Sequence, residues 1–417
     1  MKTIAVIGTF DTKGAEHAFV AEIIRGAGHQ TLLIDVGGLR EPQVTPDISS
    51  EEVAAAGGID LPVLVLKADR GAMIAALAQA APALLLRLAA RGKIHGVIAL
   101  GGTGGTAIGT AAMRALPLGF PKVMVSTVAS GNVAPYVGVK DIVMIPSIVD
   151  IAGLNRLSRQ IFIQAAGAIC GMVSAVAKAA ASAPASGAAT TKPLIVASMF
   201  GNTTKAVERA RAVLESAGYE VLVFHATGTG GRTMESLIET GLVAGVLDLT
   251  TTEWADELVG GVFSAGPSRL EAAARHGVPA IIAPGCLDMV NFGAPDSVPA
   301  KFARRILYQH NPQVTLMRTT PAECAELGRI IAEKVNLSTG PVTVLLPLRA
   351  ISVISEPGGA FHDPAADAAL FGALKENLRR DIPVVELDCT INAPEFAEAC
   401  AGELLANLAQ KPAAILP

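Results

Sequence analysis

A glycine-rich turn is the first feature of the sequence that could bind a ligand. The apolar segment at residues 97–100 is followed by six residues, of which four are glycine and two are threonine. Exposed backbone amides between a strand and a helix can bind phosphate groups. The alternative is that the glycines only let the helix pack closely on the strand. The predicted phosphate-binding loop consists of Gly101, Gly102, Thr103, Gly104, Gly105 and Thr106.

A second candidate anion-binding loop follows the first predicted strand. It combines a glycine, hydroxyl groups and a lysine ahead of a predicted helix, whose amino terminus favours negative charge. The next predicted strand ends at Asp35, where dinucleotide-binding folds place a carboxylate on ribose hydroxyls. From these two strand ends we predict nucleotide contacts by Gly8, Thr9, Asp11, Thr12, Lys13 and Asp35.

Two known nucleotide fingerprints fit this half only in part. Gly102, Gly104 and Ala107 formally match the dinucleotide pattern GxGxxA, but Asp35 belongs to a different strand–helix unit. We therefore rank an NAD-dependent enzyme last among the possible functions. A Walker A motif needs a lysine and a hydroxyl residue directly after the last glycine, and Thr106 and Ala107 do not provide them.

The second half carries more titratable groups at its predicted strand ends. Such groups can perform acid–base chemistry on an anionic substrate, and we expect their loops to converge on one crevice. The predicted catalytic residues are His225, Glu253, Asp288 and His310. The predicted substrate-binding residues are Arg232, Asn291 and Arg318, and no metal ligands are assigned. The alternatives are structural: His225 and Asp288 as helix caps, and Glu253 with Arg318 as an ion pair.

Similar patterns at the start of the two halves indicate which elements position these residues. Residues 4–38 and 195–231 each predict a strand, a polar loop, an amphipathic helix, a glycine and a second strand. Repeated units with apolar strands predict parallel sheets, whose ligands bind beyond the carboxyl ends of the strands. We therefore predict an α/β fold with two doubly wound, mainly parallel Rossmann-like domains that face a cleft.

The domain boundary is predicted from a change in composition. Residues 178–192 are rich in Ala, Ser, Pro and Thr and lack large apolar side chains, which is typical of a linker. This places a nucleotide-binding α/β domain at residues 1–177. A second α/β domain, with the substrate or partner site, follows at residues 193–417.

Composition limits the classes of partner and compartment. The chain has 417 residues and a net charge of -4, which argues against a nucleic-acid partner. Its five cysteines are odd in number and lack CxxC spacing, so we expect a reducing, cytoplasmic environment. Residues 161–177 are nearly apolar, but we interpret them as a helix packed at a domain or subunit interface, not as a membrane span.

Several separated motifs occur in one order along the chain: "IGTFDTKG", "LGGTGGTAI", "PKVMVSTVASGN", "PSIVDIAGLNRLS", "FHATGTGGRTME", "LDLTTTEWAD", "LDMVNFG" and "QHNPQVTLMRTT". Together they resemble the ATP-binding amino-terminal domain of the tomato mosaic virus resistance protein, which a large bacterial family of uncharacterised proteins shares. The resemblance covers essentially the whole chain. It implies a two-part α/β domain, dimerisation, and ATP bound by Asp11, Thr12, Lys13 and the loop at residues 101–106. A separately encoded barrel-domain protein is the expected partner.

Three functions are consistent with these observations. The first is an ATP-dependent enzyme, using Mg²⁺, that transfers a phosphoryl or adenylyl group to a small anionic metabolite. The second is a non-catalytic, nucleotide-dependent interaction module that docks the barrel-domain partner. The third is the NAD-dependent enzyme. In each case we expect a cytoplasmic homodimer that contacts neither membrane nor nucleic acid.

Overall fold

The computed structural model describes residues 1–38, 40–66, 69–182 and 192–410. Contacts within the chain divide it into two compact units, residues 1–187 and residues 188–417. Each unit is an α/β domain with its own parallel sheet.

The first unit alternates strands with helices. Its strands are β1 (Thr3–Gly8), β2 (Gln30–Asp35), β3 (Gly96–Gly101), β4 (Lys122–Ser126) and β5 (Val143–Pro146). Its helices are α1 (Phe10–Gly26), α2 (Ser50–Ala56), α3 (Leu61–Leu66), α4 (Arg70–Ala90), α5 (Thr103–Ala115), α6 (Ala134–Val137) and α7 (Arg156–Ser182).

All strands of the first unit pair in parallel, in the order β2-β1-β3-β4-β5. Alternate side chains of the central strands pack into two apolar cores, one on each face of the sheet. One core includes Ile7 with residues of α4 and α5, and the other includes Val6 with residues of α1 and α7. The chain leaves β1 for β2 on one side, while β3 pairs on the other, so the topological switch point lies between β1 and β3.

The second unit repeats this arrangement and adds a small sheet. Its strands are β6 (Leu194–Met199), β7 (Glu220–His225), β8 (Val243–Thr250), β9 (Ala280–Gly285), β10 (Met289–Phe292), β11 (Leu307–Asn311), β12 (Val314–Arg318), β13 (Val342–Pro347) and β14 (Val384–Leu387). Its helices are α8 (Thr204–Ser216), α9 (Thr229–Ile238), α10 (Glu253–Val259), α11 (Glu271–Arg275), α12 (Pro321–Val335), α13 (Pro364–Asn377) and α14 (Pro394–Gln410).

The six-stranded sheet of the second unit is parallel, in the order β14-β13-β9-β8-β6-β7. Its switch point lies between β6 and β8, the first and third strands of this unit, just as that of the first unit lies between β1 and β3. Strands β10, β12 and β11 form a separate antiparallel sheet. The predicted α/β class with two Rossmann-like, mainly parallel domains is confirmed, whereas the antiparallel sheet was not predicted.

Helix α7 corrects the predicted start of the linker. It runs to Ser182, so residues 178–182 are helical, because their alanines favour the continued helix. Residues 183–191 of the predicted linker lie outside the described residues. Helices α4 and α7 are both long and apolar enough to cross a membrane, but length and composition alone are weak evidence that a helix does so. One face of each packs into a core of the first unit.

Candidate functional site

A cavity of about 380 Å³ opens at the switch point of the first sheet. This volume is within the range of about 300–1,000 Å³ that is usual for small-molecule sites. The walls come from the loops after β1, β2 and β3, from the start of α4 and from α5. Its lining residues include Thr9, Asp11, Thr12, Lys13, Gly37, Gly38, Arg70, Met73, Ile74, Leu77, Gly102, Thr103, Gly104, Gly105, Ile108 and Asp150.

The amino end of α5 forms one wall of this cavity. Its N-cap residue is Gly102, which has no side chain to cap the helix. The first hydrogen bond into the turn runs from the amide of Thr106 to the carbonyl of Gly102, at 2.8 Å. The backbone amides that precede Thr106 therefore come before the first hydrogen bond within the helix, in the geometry that binds anions at helix amino termini.

The glycines of this loop serve two different purposes. A Cβ at Gly101 would lie 2.8 Å from the Cα of Gly105, and a Cβ at Gly104 would lie 2.7 Å from Ile74. Gly101 therefore needs glycine for close packing against the backbone of Gly105, whereas at Gly104 the end of the Ile74 side chain can move aside. At Gly102 and Gly105 the nearest atoms would be 3.9 and 3.6 Å away, so packing alone does not require glycine there.

The loop after β1 forms another wall. Lys13 interrupts the helical dihedral angles of α1 and donates from Nζ to the carbonyl of Ile151. The hydroxyls of Thr9 and Thr12 lie 3.1 Å apart, and Asp11 accepts a hydrogen bond from the amide of Gly38 at 3.3 Å. The structure thus brings Thr9, Asp11, Thr12 and Lys13 together with the glycine loop, as the strand ends predicted.

Four predicted nucleotide contacts are not among the described residues that line the cavity: Gly8, Asp35, Gly101 and Thr106. A Cβ at Gly8 would lie 1.8 Å from Nε2 of His17, so Gly8 makes room for that ring. Thr106 is buried, with its hydroxyl 2.7 Å from that of Ser126. Both therefore shape the loops and do not line the cavity.

Asp35 is another of these residues. It is 4% exposed, and its Oδ1 accepts hydrogen bonds from the amides of Phe10 and Gly37, at 2.9 and 2.8 Å. Burial raises its pKa above the ordinary value, and the two amide bonds oppose that shift. This carboxylate holds the loops after β1 and β2, in place of the predicted ribose contact.

Helix α4 supplies the part of the site that the sequence analysis missed. Arg70 is its first residue and is preceded by Asp69, whose side chain caps the helix by accepting from the amide of Ala72 at 3.0 Å. Met73 and Leu77 follow on the apolar face toward the cavity. An aspartate N-cap ahead of an apolar helix is visible in sequence, but its position beside the β1 and β3 loops is not.

In the second unit, a carboxylate of the chain itself occupies the predicted anion site. The amides of Gly228 and Gly231, in the glycine turn before α9, donate to Oε1 of Glu253 at 2.7 and 3.0 Å. Oε2 of Glu253 accepts from Nε of Arg269 at 2.7 Å. Both oxygens are engaged and Glu253 is 1% exposed, which argues against its predicted role as a base.

Arg269 is the centre of a buried ionic network. Its guanidinium makes a two-fold contact with Asp248, with the Nη2–Oδ1 pair at 2.7 Å, and its Nη1 lies 3.0 Å from Glu235. Asp248 also accepts from the hydroxyl of Ser198 at 2.6 Å. One cation thus binds carboxylates from β8, α9 and α10 at the second switch point.

Arg318 and Asp288 form a second buried cluster. Arg318 donates to Asp367 at 2.7 Å and to the carbonyl of Phe361 at 2.9 Å, so its ion-pair partner is Asp367 and not Glu253. Asp288 accepts from the hydroxyl of Ser352 at 2.7 Å. Burial raises the pKa of Asp288 to about 6, although Arg318 opposes the shift.

Asn291 is also buried. Its side-chain amide donates to Asp256 at 2.7 Å, and its backbone amide donates to the same carboxylate at 3.1 Å. Burial raises the pKa of Asp256 to about 7, and these bonds from Asn291 oppose the shift. This pair ties α10 to β10, so Asn291 is a structural residue in this structure.

The remaining predicted residues of the second unit lie at the surface. His225 ends β7 and contacts Phe200 edge to face, with ring centroids 5.3 Å apart. Arg232 is exposed beside Thr229, and His310 is exposed on β11. His310 lies within β11, which pairs with β12 in an antiparallel hairpin, so it does not lie at the carboxyl end of a strand of the parallel sheet.

The predicted catalytic set of the second unit is therefore dispersed. Across the described ranges, no hydrogen bond or ion pair links His225 or His310 to the buried carboxylates. Those same ranges contain no group of three or more His, Cys, Asp or Glu side chains arranged to hold a metal ion.

Comparison with known families agrees with the two-domain organisation. Residues 2–178 match the amino-terminal domain, and residues 192–408 the carboxyl-terminal domain, of an uncharacterised protein family, UPF0261. The chain belongs to this family.

Relatives include a UPF0261 protein of Clostridium tetani, 49% identical over 411 residues, which cover 98% of this chain and 100% of the relative. The ToMV resistance protein Tm-1(GCR237) of Solanum lycopersicum is 38% identical over 417 residues, which cover 96% of this chain and 55% of the relative. The predicted relationship to the plant protein and the bacterial family is confirmed, while ATP binding stays a prediction.

A solved structure of UDP-N-acetylglucosamine 2-epimerase from Rickettsia bellii overlaps with a TM-score of 0.22 at 12% identity. The overlap covers 67% of this chain and 78% of that chain. A TM-score this low carries no argument about this protein.

Removing the central cation of the second unit should destabilise that unit. Arg269→Met leaves buried carboxylates without their partner, and we expect the free energy of unfolding to fall by about 3–5 kcal/mol. Urea unfolding, followed by the fluorescence of the single tryptophan, Trp254, measures this domain directly. Arg275→Met removes an exposed arginine that pairs with Glu271, and should change stability by less than about 1 kcal/mol. Equal effects of the two variants would contradict a structural role for the network.

The raised pKa of Asp256 predicts a specific pH dependence. Its pKa is about 7 in the folded protein and about 4 when unfolded, so the folded state binds the proton more tightly. The stability from this group is complete below pH 4 and is lost as the pH rises through 7. Relative to Asp256→Asn, the wild type should lose up to about 4 kcal/mol over this interval. Urea unfolding at several pH values tests this, with the exposed Asp296→Asn as a control that should keep the wild-type profile.

Proposed function

We propose that the first domain binds ATP in the cavity at its switch point. The observation that carries this proposal is the uncapped amino end of α5, which opens into a cavity that also holds Lys13 and Arg70. Amides, a helix dipole and two cations that line one cavity suit a chain of phosphates.

The other walls suit the remaining parts of a nucleotide. Met73, Ile74 and Leu77 provide an apolar surface against which a base can pack. Asp11 and Asp150 also line the cavity, and carboxylates are the side chains that Mg²⁺ takes as ligands. In this proposal Asp11 and Asp150 hold the Mg²⁺ ion that accompanies the phosphates and offsets their charge.

A charge placed at the start of α5 tests this site without disturbing the fold. Thr103 is exposed at the first position of the helix, where an acidic residue stabilises the helix through its dipole. Thr103→Asp should weaken ATP–Mg²⁺ binding at least about tenfold, since like charges a few ångströms apart repel by several kcal/mol. Calorimetric titration measures the affinity.

Thr103→Asn is the matched control, because it has nearly the same shape and no charge; its affinity should stay within about threefold of the wild type. Lys13→Ala should also weaken binding, and NAD should not compete. Absence of ATP binding by the wild type, or equal binding by the Asp and Asn variants, would overturn the proposal.

Two roles for the bound nucleotide follow from different observations. His225 and Arg232 are exposed near the start of α9, which favours phosphoryl or adenylyl transfer to a small anion. Glu253 and Arg318 are fully engaged in internal contacts, which favours a non-catalytic module that docks a separate barrel-domain partner. Transfer would need residues such as Glu253 that are already engaged in internal contacts, whereas the module needs no catalytic residue.

Turnover distinguishes the two roles. Purified protein is incubated with Mg²⁺ and ATP labelled at the α or γ phosphate, together with a panel of small carboxylic acids. Transfer predicts that label moves to an acid, and that His225→Ala stops the transfer while ATP affinity stays within about threefold. The module predicts that ATP remains intact in every mixture. Turnover that persists in His225→Ala removes this histidine from the mechanism.

The remaining expectations are part of this proposal. We place the protein in the cytoplasm as a homodimer, with no membrane or nucleic-acid contact. The antiviral name of the plant relative describes that protein, and no antiviral role is proposed for this chain.

A further inference from the structure

A second, larger cavity lies at the other end of the first sheet. It has a volume of about 650 Å³ and is formed where β1 and β2 begin and where α1 and α4 end. Four basic side chains line it: Arg25, Arg87, Arg91 and Lys93. We call this cavity the basic cavity.

No acidic side chain is among the described residues that line the basic cavity. Within the described ranges, none of its four cations takes part in an ion pair. Arg25 donates from Nε to the hydroxyl of Thr31 at 2.8 Å, a neutral contact that orients the guanidinium and leaves its charge unpaired. The concave surface therefore concentrates positive charge, although the chain as a whole carries a net charge of -4.

Helix dipoles account for only part of this charge. Arg25 lies in the last turn of α1, and Arg87 and Arg91 lie at the end of α4, where cations offset the partial negative charge of a helix carboxyl end. Each helix end carries roughly half an elementary charge, so two ends account for about one cation. The remaining cations are in excess, and repulsion among them favours an anion in the cavity.

From this geometry we propose that the basic cavity binds a small multivalent oxyanion. Arginine matches phosphate and carboxylate groups with paired hydrogen bonds, and three arginines can hold several such groups at once. Thr3 and Gln30 add neutral polar groups on the walls, while Leu32, Ile48 and Leu88 add an apolar patch. The ligand class is therefore a polyphosphate or polycarboxylate that carries a small apolar portion.

This site is separate from the proposed ATP site and does not rest on it. Arg70 and Arg91 lie at opposite ends of α4, a helix of 21 residues, which is roughly 30 Å long. Lys13 and Arg25 are likewise separated along α1. One small molecule cannot span these distances, so the two cavities bind separate ligands.

Titration with inorganic triphosphate tests the proposal, in a Thr103→Asp background that disables phosphate binding at α5. The protein should still bind triphosphate in this background, and adding Arg87→Gln and Arg91→Gln should weaken that binding at least about tenfold. Adding Arg156→Gln and Lys178→Gln, which remove two exposed cations of α7, should leave it within about threefold. Binding should also weaken as salt concentration rises.

Citrate, used in the same titrations, distinguishes carboxylate from phosphate preference. If either compound binds more tightly, and that binding depends on Arg87 and Arg91, the result supports the proposal and identifies phosphate or carboxylate as the preferred group. Absence of triphosphate and citrate binding in the Thr103→Asp background, or equal binding by both double-substituted proteins, overturns it. In Arg87→Gln/Arg91→Gln with Thr103 intact, the ATP binding that Lys13→Ala weakens should be unchanged, which separates failure here from failure of the ATP proposal.

Discussion

Parallel pairing on both sides of the first strand of each unit is the constraint on which this structure depends. Strand β1 pairs with β2 on one side and with β3 on the other, and β6 pairs in the same way with β7 and β8. Because the chain departs in opposite directions from such a strand, the loops at its carboxyl end separate and leave a crevice. A crevice of this kind must be filled by side chains, by water or by a ligand.

The two units fill this crevice differently. In the first unit the residues after β3 are a glycine loop, which keeps the helix end open beside a cavity. In the second unit the corresponding residues after β8 lead to Glu253, whose carboxylate takes the amides of a neighbouring turn. Arg269 then balances Glu253, Asp248 and Glu235, so that the buried charges are compensated. The second unit has more polar residues at its strand ends than the first, but fewer of them are available to bind a ligand.

Much of the fold and about half of the site could be predicted from sequence. Apolar strands, the repeat of residues 4–38 and 195–231, and the glycine stops define the parallel α/β units, because these signals are local. Thr12, Lys13 and residues 102–105 of the glycine loop could be identified as cavity residues, because carboxyl ends of parallel strands meet at one edge. Arg70 could not, since its position depends on how α4 packs against α5.

The sequence by itself determined the α/β class, the two-domain organisation and the two strand-end loops of the first domain, because each rests on patterns between residues close in the chain. Only the tertiary structure decided which polar residues are available for a ligand. Glu253 and Arg269 are 16 residues apart, and Arg318 and Asp367 are 49 apart. Whether a carboxylate faces a cavity or a buried guanidinium depends on such distant partners, because a buried charge must be paired wherever the fold places it.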